Sequence, residues 1–371
     1  MSIVLYLFIF CCFFQLFYQS VLLVALNLNR ISKLHGPASR KPVSVVICAN
    51  NEAENLRKNL PVLLRQQHPD FEIIVVDDGS DDDTGKLDIK DERLKIIRLP
   101  KEEKIGLGKK YALQKGVEQA KHQVILLTDA DCRPLSETWI SEMAGKINET
   151  HKIVLGISPH STEINFLNGL IEYETAQTAL QYTGWAVLGN PYMSVGRNVA
   201  YDAALIKKKV WTENELAVAS GDDDLAIQAL ANAHNTAVCL SREGYTVSDA
   251  KNSWSAWVNQ KLRHYESGAL YKLSQRIILG GYLLTKLFIY VSIVYFFVQA
   301  VFSAGYSSFL VFPFAAYIIY VCLMVLLNLI LHRLFRLNSR WYLAGLYDPI
   351  YVVFTVFLGI ISLFKPKRNW N

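Results

Sequence analysis

Two carboxylates two residues apart, Asp129 and Asp131, close an apolar run that starts at Val124. Such a pair can hold a hard divalent cation through oxygen, and a cation held by so few protein ligands keeps positions for water and phosphate. A surface turn with two solvated Asp residues has the same local pattern, so the pair does not decide by itself. Four further polar clusters stand in comparable places: Ala49-Asn-Asn-Glu52, Asp77-Asp-Gly-Ser80, Ser220-Gly-Asp-Asp-Asp-Leu225 and Gln260-Lys-Leu-Arg263. Three of the five fall where successive parallel strands would end, on one edge of one sheet. Carboxylates that converge repel one another unless a cation or a ligand's donors compensate them. Their convergence, more than any single cluster, points to a site.

The elements that must position these residues follow from periodicity. Short runs rich in Val, Ile and Leu predict strands over 43–49, 71–77, 94–98, 124–128 and 153–157, and helical apolar spacing predicts helices over 54–66, 109–120 and 135–148. Alternation of this kind argues for an α/β domain with a mainly parallel sheet wrapped by helices. Beyond Ser158 the order is less regular, with helical spacing over 166–181, 201–211 and 222–233, a strand over 236–240, and an amphipathic helix over 254–264 carrying Trp254, Trp257, Gln260 and Arg263.

Of the 371 residues, 51% are hydrophobic and 19% charged, and the apolar excess lies at the two ends. Residues 2–28, 277–302, 309–331 and 342–364 are each long enough to span a bilayer. The expected organisation is an N-terminal transmembrane anchor over 1–29, a soluble domain over 42–270, a transmembrane region over 277–364 with about three spans, and a basic tail over 365–371. Arg30, Lys33, Arg40 and Lys41 follow the first run, so the positive-inside rule places the soluble domain on the cytoplasmic side of a cell membrane. The link 303–308 is uncharged and should face out, while 332–340 is basic and should face in. The tail Lys365-Pro-Lys-Arg368 also favours the inside, which conflicts with strict alternation of three spans; the Asp348-Pro349 run is then a candidate to lie at the interface or re-enter. A net charge of +5, set beside apolar runs, suits an acidic membrane surface, and no base-reading helix or zinc-finger spacing suggests nucleic acid. Of six Cys, two lie in an apolar run and the others are scattered, and with no C-x-x-C pair they read as reduced thiols.

Seven segments in order, Val43–Glu52, Ile74–Ser80, Gly108–Gly116, Thr128–Asp131, Gly196–Ala200, Gly221–Leu225 and Gln260–His264, resemble membrane-bound glycosyltransferase family 2 over about residues 43–268. The likeness extends to lipid-acceptor glycosyltransferases and to polysaccharide synthases of the cellulose, hyaluronan and poly-N-acetylglucosamine type. It implies the GT-A nucleotide-sugar-binding fold and an inverting transfer from a nucleotide sugar, with UDP the expected nucleotide. It further implies that Ala49, Glu52 and Asp77 meet the nucleoside, Lys109 and Asn198 the donor, and Asp129 the nucleotide sugar. Asp131, with Asp129, would hold Mg²⁺ or Mn²⁺, Asp222 would be the catalytic base, and Gln260 and Arg263 would meet the diphosphate. Two departures stand out. Gly221 replaces the acid that usually precedes the base, and His264 replaces the Trp that usually ends the Q-x-x-R-W motif.

The resemblance leaves the acceptor open between a membrane lipid carrier and a growing polysaccharide, the former being expected because four apolar segments leave little room for a polymer channel. A nucleotide-sensing transporter or scaffold is the alternative from another class; it predicts charges along the spans, of which Lys286, alongside Asp348, is the only clear one, so transport is poorly supported. A dinucleotide oxidoreductase is disfavoured because no G-x-G-x-x-G follows the first strand.

Overall fold

The computed structural model describes residues 2–32, 41–302, 311–338 and 340–364. Lys33, Arg40, the uncharged link 303–308 and the basic tail from Lys365 therefore lie outside the described residues. The chain opens with helix α1 (Ser2–Ser32). The expected alternation follows: β1 (Val43–Ala49), α2 (Ala53–Leu64), β2 (Phe71–Asp77), β3 (Leu94–Arg98), α3 (Lys110–Gln119) and β4 (Val124–Asp129). Next come β5 (Cys132–Pro134), α4 (Trp139–Ala144), β6 (Ile153–Leu155), α5 (Phe166–Val187), β7 (Val199–Asp202), α6 (Ala203–Ile206), α7 (Glu213–Leu216) and α8 (Asp224–Leu230). The chain ends through β8 (Thr236–Val238), β9 (Thr246–Ser248), α9 (Trp254–Gly268), α10 (Leu273–Phe302), α11 (Val311–Phe335) and α12 (Ala344–Phe364).

Seven strands form one sheet in the order β3-β2-β1-β4-β7-β6-β8. The pairs β3-β2, β2-β1, β1-β4 and β6-β8 are parallel, and β7 runs antiparallel to both its neighbours. The sheet is mainly parallel, as expected, but the helix anticipated over 201–211 is corrected to β7 followed by the single turn of α6. Val199-Ala-Tyr201 are buried strand formers gripped by β4 and β6, and that pairing overrides local helical spacing. The helix expected over 135–148 shortens to α4.

Successive strand residues point to opposite faces, which divides the core. Val43, Val45, Ile47 and Ala49 of β1 pack with α2 and α4. Val46 and Cys48 pack on the other face, with α3 and α5. That second core also takes in Tyr18, Leu22, Leu23 and Leu26 of α1 and Leu331, Leu334 and Phe335 of α11, so the apolar helices and the α/β domain share it. α1, α10, α11 and α12 are each long and apolar enough to cross a membrane. Asp348 in α12 is fully buried and accepts hydrogen bonds from Lys286 and Tyr290 of α10 and from Tyr173 of α5. The two charges inside the apolar runs thus satisfy each other.

Strand register sets up the site. Ala49 lies opposite Asp77, and Cys48 opposite Asp129. The ends of β1, β2 and β4 are therefore level, and their polar clusters share the carboxyl edge where open α/β sheets bind ligands.

Candidate active site

The loops after β1 and β2 are knitted together. Asn51 holds a left-handed backbone conformation, its N–H donates to the Ser80 hydroxyl at 2.9 Å, and its side-chain oxygen accepts from the Asp81 N–H at 2.9 Å. The Glu52 N–H donates to Thr84 Oγ1 at 2.8 Å. Glu52 Oε2 accepts from Asn55 at 2.6 Å and the side chain faces the cleft. Burial, with Asp131 and Asp129 nearby, raises its pKa. Asp77 is fully buried at the end of β2; one oxygen accepts from the Ser80 N–H at 2.9 Å and the other stands 3.6 Å from Arg98.

The acidic centre forms where β4, the start of α3 and the start of α8 meet. The Lys109 ammonium lies 2.8 Å from Asp129 and 3.2 Å from Asp222, two carboxylates 93 residues apart that meet one cation. Burial opposes the charge on Lys109, but Asp129, Asp222 and Asp223 outweigh it and raise its pKa well above the ordinary lysine value. The three successive acids have three different surroundings. Asp223 accepts from the N–H groups of Gly196 at 2.6 Å and Asp224 at 2.9 Å, and burial together with Asp222 pushes its pKa up to about 6. Asp224 accepts from Tyr271, and burial and Asp223 raise its pKa well above the ordinary carboxylate value. Asp222 alone among the three makes the ion pair with Lys109.

Backbone contacts fix this centre. Lys110, fully buried, donates to the carbonyls of Val218 at 2.8 Å and Ser220 at 2.6 Å, anchoring the loop that leads to Asp222. Gly108 has φ +74° and lies where a Cβ would meet the Ala219 carbonyl oxygen at 1.9 Å. Gly221 has φ +84°, and a Cβ there would lie 2.5 Å from Ser267 Cβ. α9 thus occupies the space that a side chain just before Asp222 would need. The same helix accepts a hydrogen bond from Ser220 at the Arg263 carbonyl.

One cavity of about 1040 Å³ joins these parts. Glu52, Lys109, Asp129, Asp131 and Asp222 line it, as do Gln260, Arg263 and His264 of α9, and it continues to Tyr282 and Lys286 of α10 and Thr355 of α12. Burial, with Lys261 and Arg263 close by, holds the His264 imidazole neutral, well below its ordinary pKa. Trp254 and Trp257 are anchored to α12, Trp257 being stacked on Phe354 with ring centres 4.3 Å apart.

Ala49, Asp77 and Asn198 do not line this cavity. Asn198, expected to meet the donor, makes its side-chain hydrogen bonds within the protein. Its side chain is fully buried, accepts from Trp139 Nε1 at 3.0 Å and donates to the carbonyls of Ile157 at 2.9 Å and Gly244 at 2.8 Å. Sequence reasoning had no use for Lys110 or Glu174; a second Lys after the glycine turn was the only signal for the former.

Asp129 and Asp131, with Cys132, bring ligand atoms within 4.8 Å of one another. The Cys132 thiol donates to Asp131 at 3.3 Å, and burial and Asp131 raise its pKa, so it stays protonated and is no ligand for a hard cation. Two half-exposed carboxylates with an open side fit Mg²⁺ or Mn²⁺, which take one or two carboxylates plus phosphate and water.

Fold and site together define an α/β domain with an acidic cleft at its carboxyl edge, joined to apolar helices. Residues 44–199 match the model of Glycosyl transferase family 2, and the chain carries a domain of that family. Over 92 residues, 24% of this chain, it is 30% identical to poly-beta-1,6-N-acetyl-D-glucosamine synthase of Staphylococcus epidermidis, of which it spans 21%. It is 29% identical over 133 residues, 34% of this chain, to glycosyltransferase AglE of Haloferax volcanii, spanning 41% of that protein. It is 34% identical over 109 residues, 24% of this chain, to dolichyl-phosphate beta-glucosyltransferase of Mus musculus, spanning 31% of it. The matches thus cover less than half the length of each of these relatives. Among solved structures, the mannosyltransferase PcManGT from Pyrobaculum calidifontis, in complex with GDP-Man and Mn²⁺, superposes with a TM-score of 0.59 at 16% identity, covering 96% of this chain and 99% of that one. The fold is GT-A-like.

Proposed function

We propose that this chain is an inverting, metal-dependent glycosyltransferase that moves a sugar from a nucleotide sugar, with UDP the expected nucleotide, to a membrane-associated, lipid-linked acceptor. The observation that carries this reading is a single cavity lined by Lys109, Asp129, Asp131 and Asp222 that continues between helices long and apolar enough to cross a membrane. PcManGT, the structure of like fold, holds a nucleotide sugar and Mn²⁺, and the mouse relative is named for a lipid phosphate. The soluble domain belongs on the cytoplasmic side of the cell membrane in this reading.

Asp131 and Asp129 would hold Mg²⁺ or Mn²⁺, which offsets as a Lewis acid the charge that builds on a departing diphosphate. Lys109 adds a fixed positive charge beside them. Asp222 takes the proton of the acceptor hydroxyl as that oxygen bonds to the anomeric carbon. The bond from that carbon to the diphosphate breaks, configuration inverts, and the nucleoside diphosphate leaves. Arg263 and Gln260 meet the diphosphate from α9, a role the planar guanidinium suits. Glu52 is the nucleoside-side acid within the cavity, with Asp77 and Ala49 behind it on the strand ends. A processive polysaccharide synthase is the second reading, favoured by the extension of the cavity between α5, α10 and α12. Transport finds no support in Lys286 and Asp348, which pair with each other.

Full-length protein in nanodiscs, given a panel of nucleotide sugars with Mn²⁺, tests the proposal through released nucleoside diphosphate. Asp222→Asn should cut turnover at least about a hundredfold, the scale of general-base catalysis, and leave donor binding near normal. Asp131→Ala should abolish turnover and also weaken Mn²⁺-dependent nucleotide binding. Near-normal turnover in Asp222→Asn would refute the base assignment.

A further inference from the structure

We propose that the cavity between α5, α9, α10 and α12 is a subsite for a sugar already present on the acceptor, held by Glu174 and Trp257. The inference rests on the preceding reading and narrows its acceptor. Glu174, on α5, is only 5% exposed. One of its oxygens pairs with Lys261 of α9, and the other, Oε2, is buried with no hydrogen-bond partner. Trp257, on α9, is 1% exposed, and its indole N–H is likewise buried and unpartnered. Both side chains line the cavity. Buried polar atoms are nearly always paired, and leaving a charged acceptor unpaired is costly. Here an acceptor and a donor from two helices both lack a partner and border the same space.

A sugar hydroxyl answers both, since it donates to a carboxylate and accepts from an indole N–H. The surrounding wall agrees. Thr175, Thr178, Tyr351 and Thr355 line the cavity beside the aliphatic Leu279, Leu283 and Val352, a mixed wall that suits both the hydroxyls and the apolar faces of a sugar ring. The Glu174–Lys261 pair is neutral as a unit, which suits an uncharged polar ligand better than a phosphate.

The test needs no donor. Full-length protein in nanodiscs is titrated calorimetrically with hexyl β-glycosides of glucose, galactose, mannose and N-acetylglucosamine, with hexanol and hexyl phosphate as controls. At least one glycoside should bind tenfold or more tightly than either control. Trp257→Phe, which keeps a ring against Phe354, and Glu174→Gln should each weaken that binding about fivefold while Mn²⁺-dependent UDP binding is unchanged. The two substitutions lie on different elements, so either one that folds decides. Methyl glycosides serve as a further arm: equal binding assigns the subsite to a free glycan, tighter hexyl binding to a lipid-linked one. Glycosides no tighter than hexanol or hexyl phosphate, or binding indifferent to both substitutions, would overturn the subsite. Because nothing is turned over, that failure is separate from failure of sugar transfer itself.

Discussion

At the scale of single residues, environment assigns the roles that residue type leaves open. Asp222, Asp223 and Asp224 are chemically identical and adjacent. One meets Lys109, one caps backbone N–H groups, and one meets Tyr271. The sequence could mark the trio but not divide it, because the division is made by Gly196, Lys109 and Tyr271 arriving from elsewhere in the chain. Asn198 shows the converse. A polar residue in a family-like segment looks like a ligand contact, yet its three hydrogen bonds tie Trp139, Ile157 and Gly244 together. Asn198→Ala strands two carbonyls and one indole N–H in the core. It should lower stability by about 3 kcal/mol, read as a drop in thermal midpoint, while UDP affinity of the folded protein at low temperature stays near normal. A large loss of UDP affinity with an unchanged midpoint would restore the donor role.

At the scale of elements, the readable parts were those whose neighbours repeat their own pattern. β1, β2 and, up to Asp129, β4 are buried runs paired in parallel, and their limits agree with the apolar runs to within a residue. β7 was hidden because four residues carry too little periodicity, and only pairing with β4 and β6 makes them a strand. Helical spacing over 166–181 marks α5 as a helix but not its burial, which runs nearly all round, acids included. Glu172 in its second turn is pushed by burial up to about 7, against the pull of Thr162 and Arg340. The sign follows from linkage. The folded state holds a proton that the unfolded chain gives up near the ordinary glutamate pKa of about 4.3, so stability falls as pH rises from there to about 7. Thermal midpoints should be higher at pH 5 than at pH 8, and Glu172→Gln should remove most of that difference; an equal slope in the variant would assign it to other groups.

At the scale of the whole molecule, the α/β domain and the apolar helices are not separable modules. α1 supplies Leu22, Leu23 and Leu26 to the core under the sheet, and α5 sends Tyr173 to Asp348 in α12. Lys286→Met leaves Asp348 buried without its cation. Breaking a buried pair from one side costs on the order of 3 kcal/mol or more, whereas replacing both partners with apolar residues is often close to neutral. Lys286→Met should therefore unfold at a lower temperature in detergent, and Lys286→Met with Asp348→Leu should recover much of the loss. A double variant less stable than the single one would show that Tyr173 and Tyr290 depend on the carboxylate more than the lysine does.

The seating of α9 carries this coupling to the acidic centre. At one end its Trp257 lies flat against Phe354 of α12, and near the other its Arg263 carbonyl takes the hydroxyl of Ser220, two residues before Asp222. One helix thus ties α12, which is long and apolar enough to cross a membrane, to the loop that carries Asp222. In the proposed reading, the depth at which α12 sits in a bilayer would bear on where Asp222 stands in the cleft.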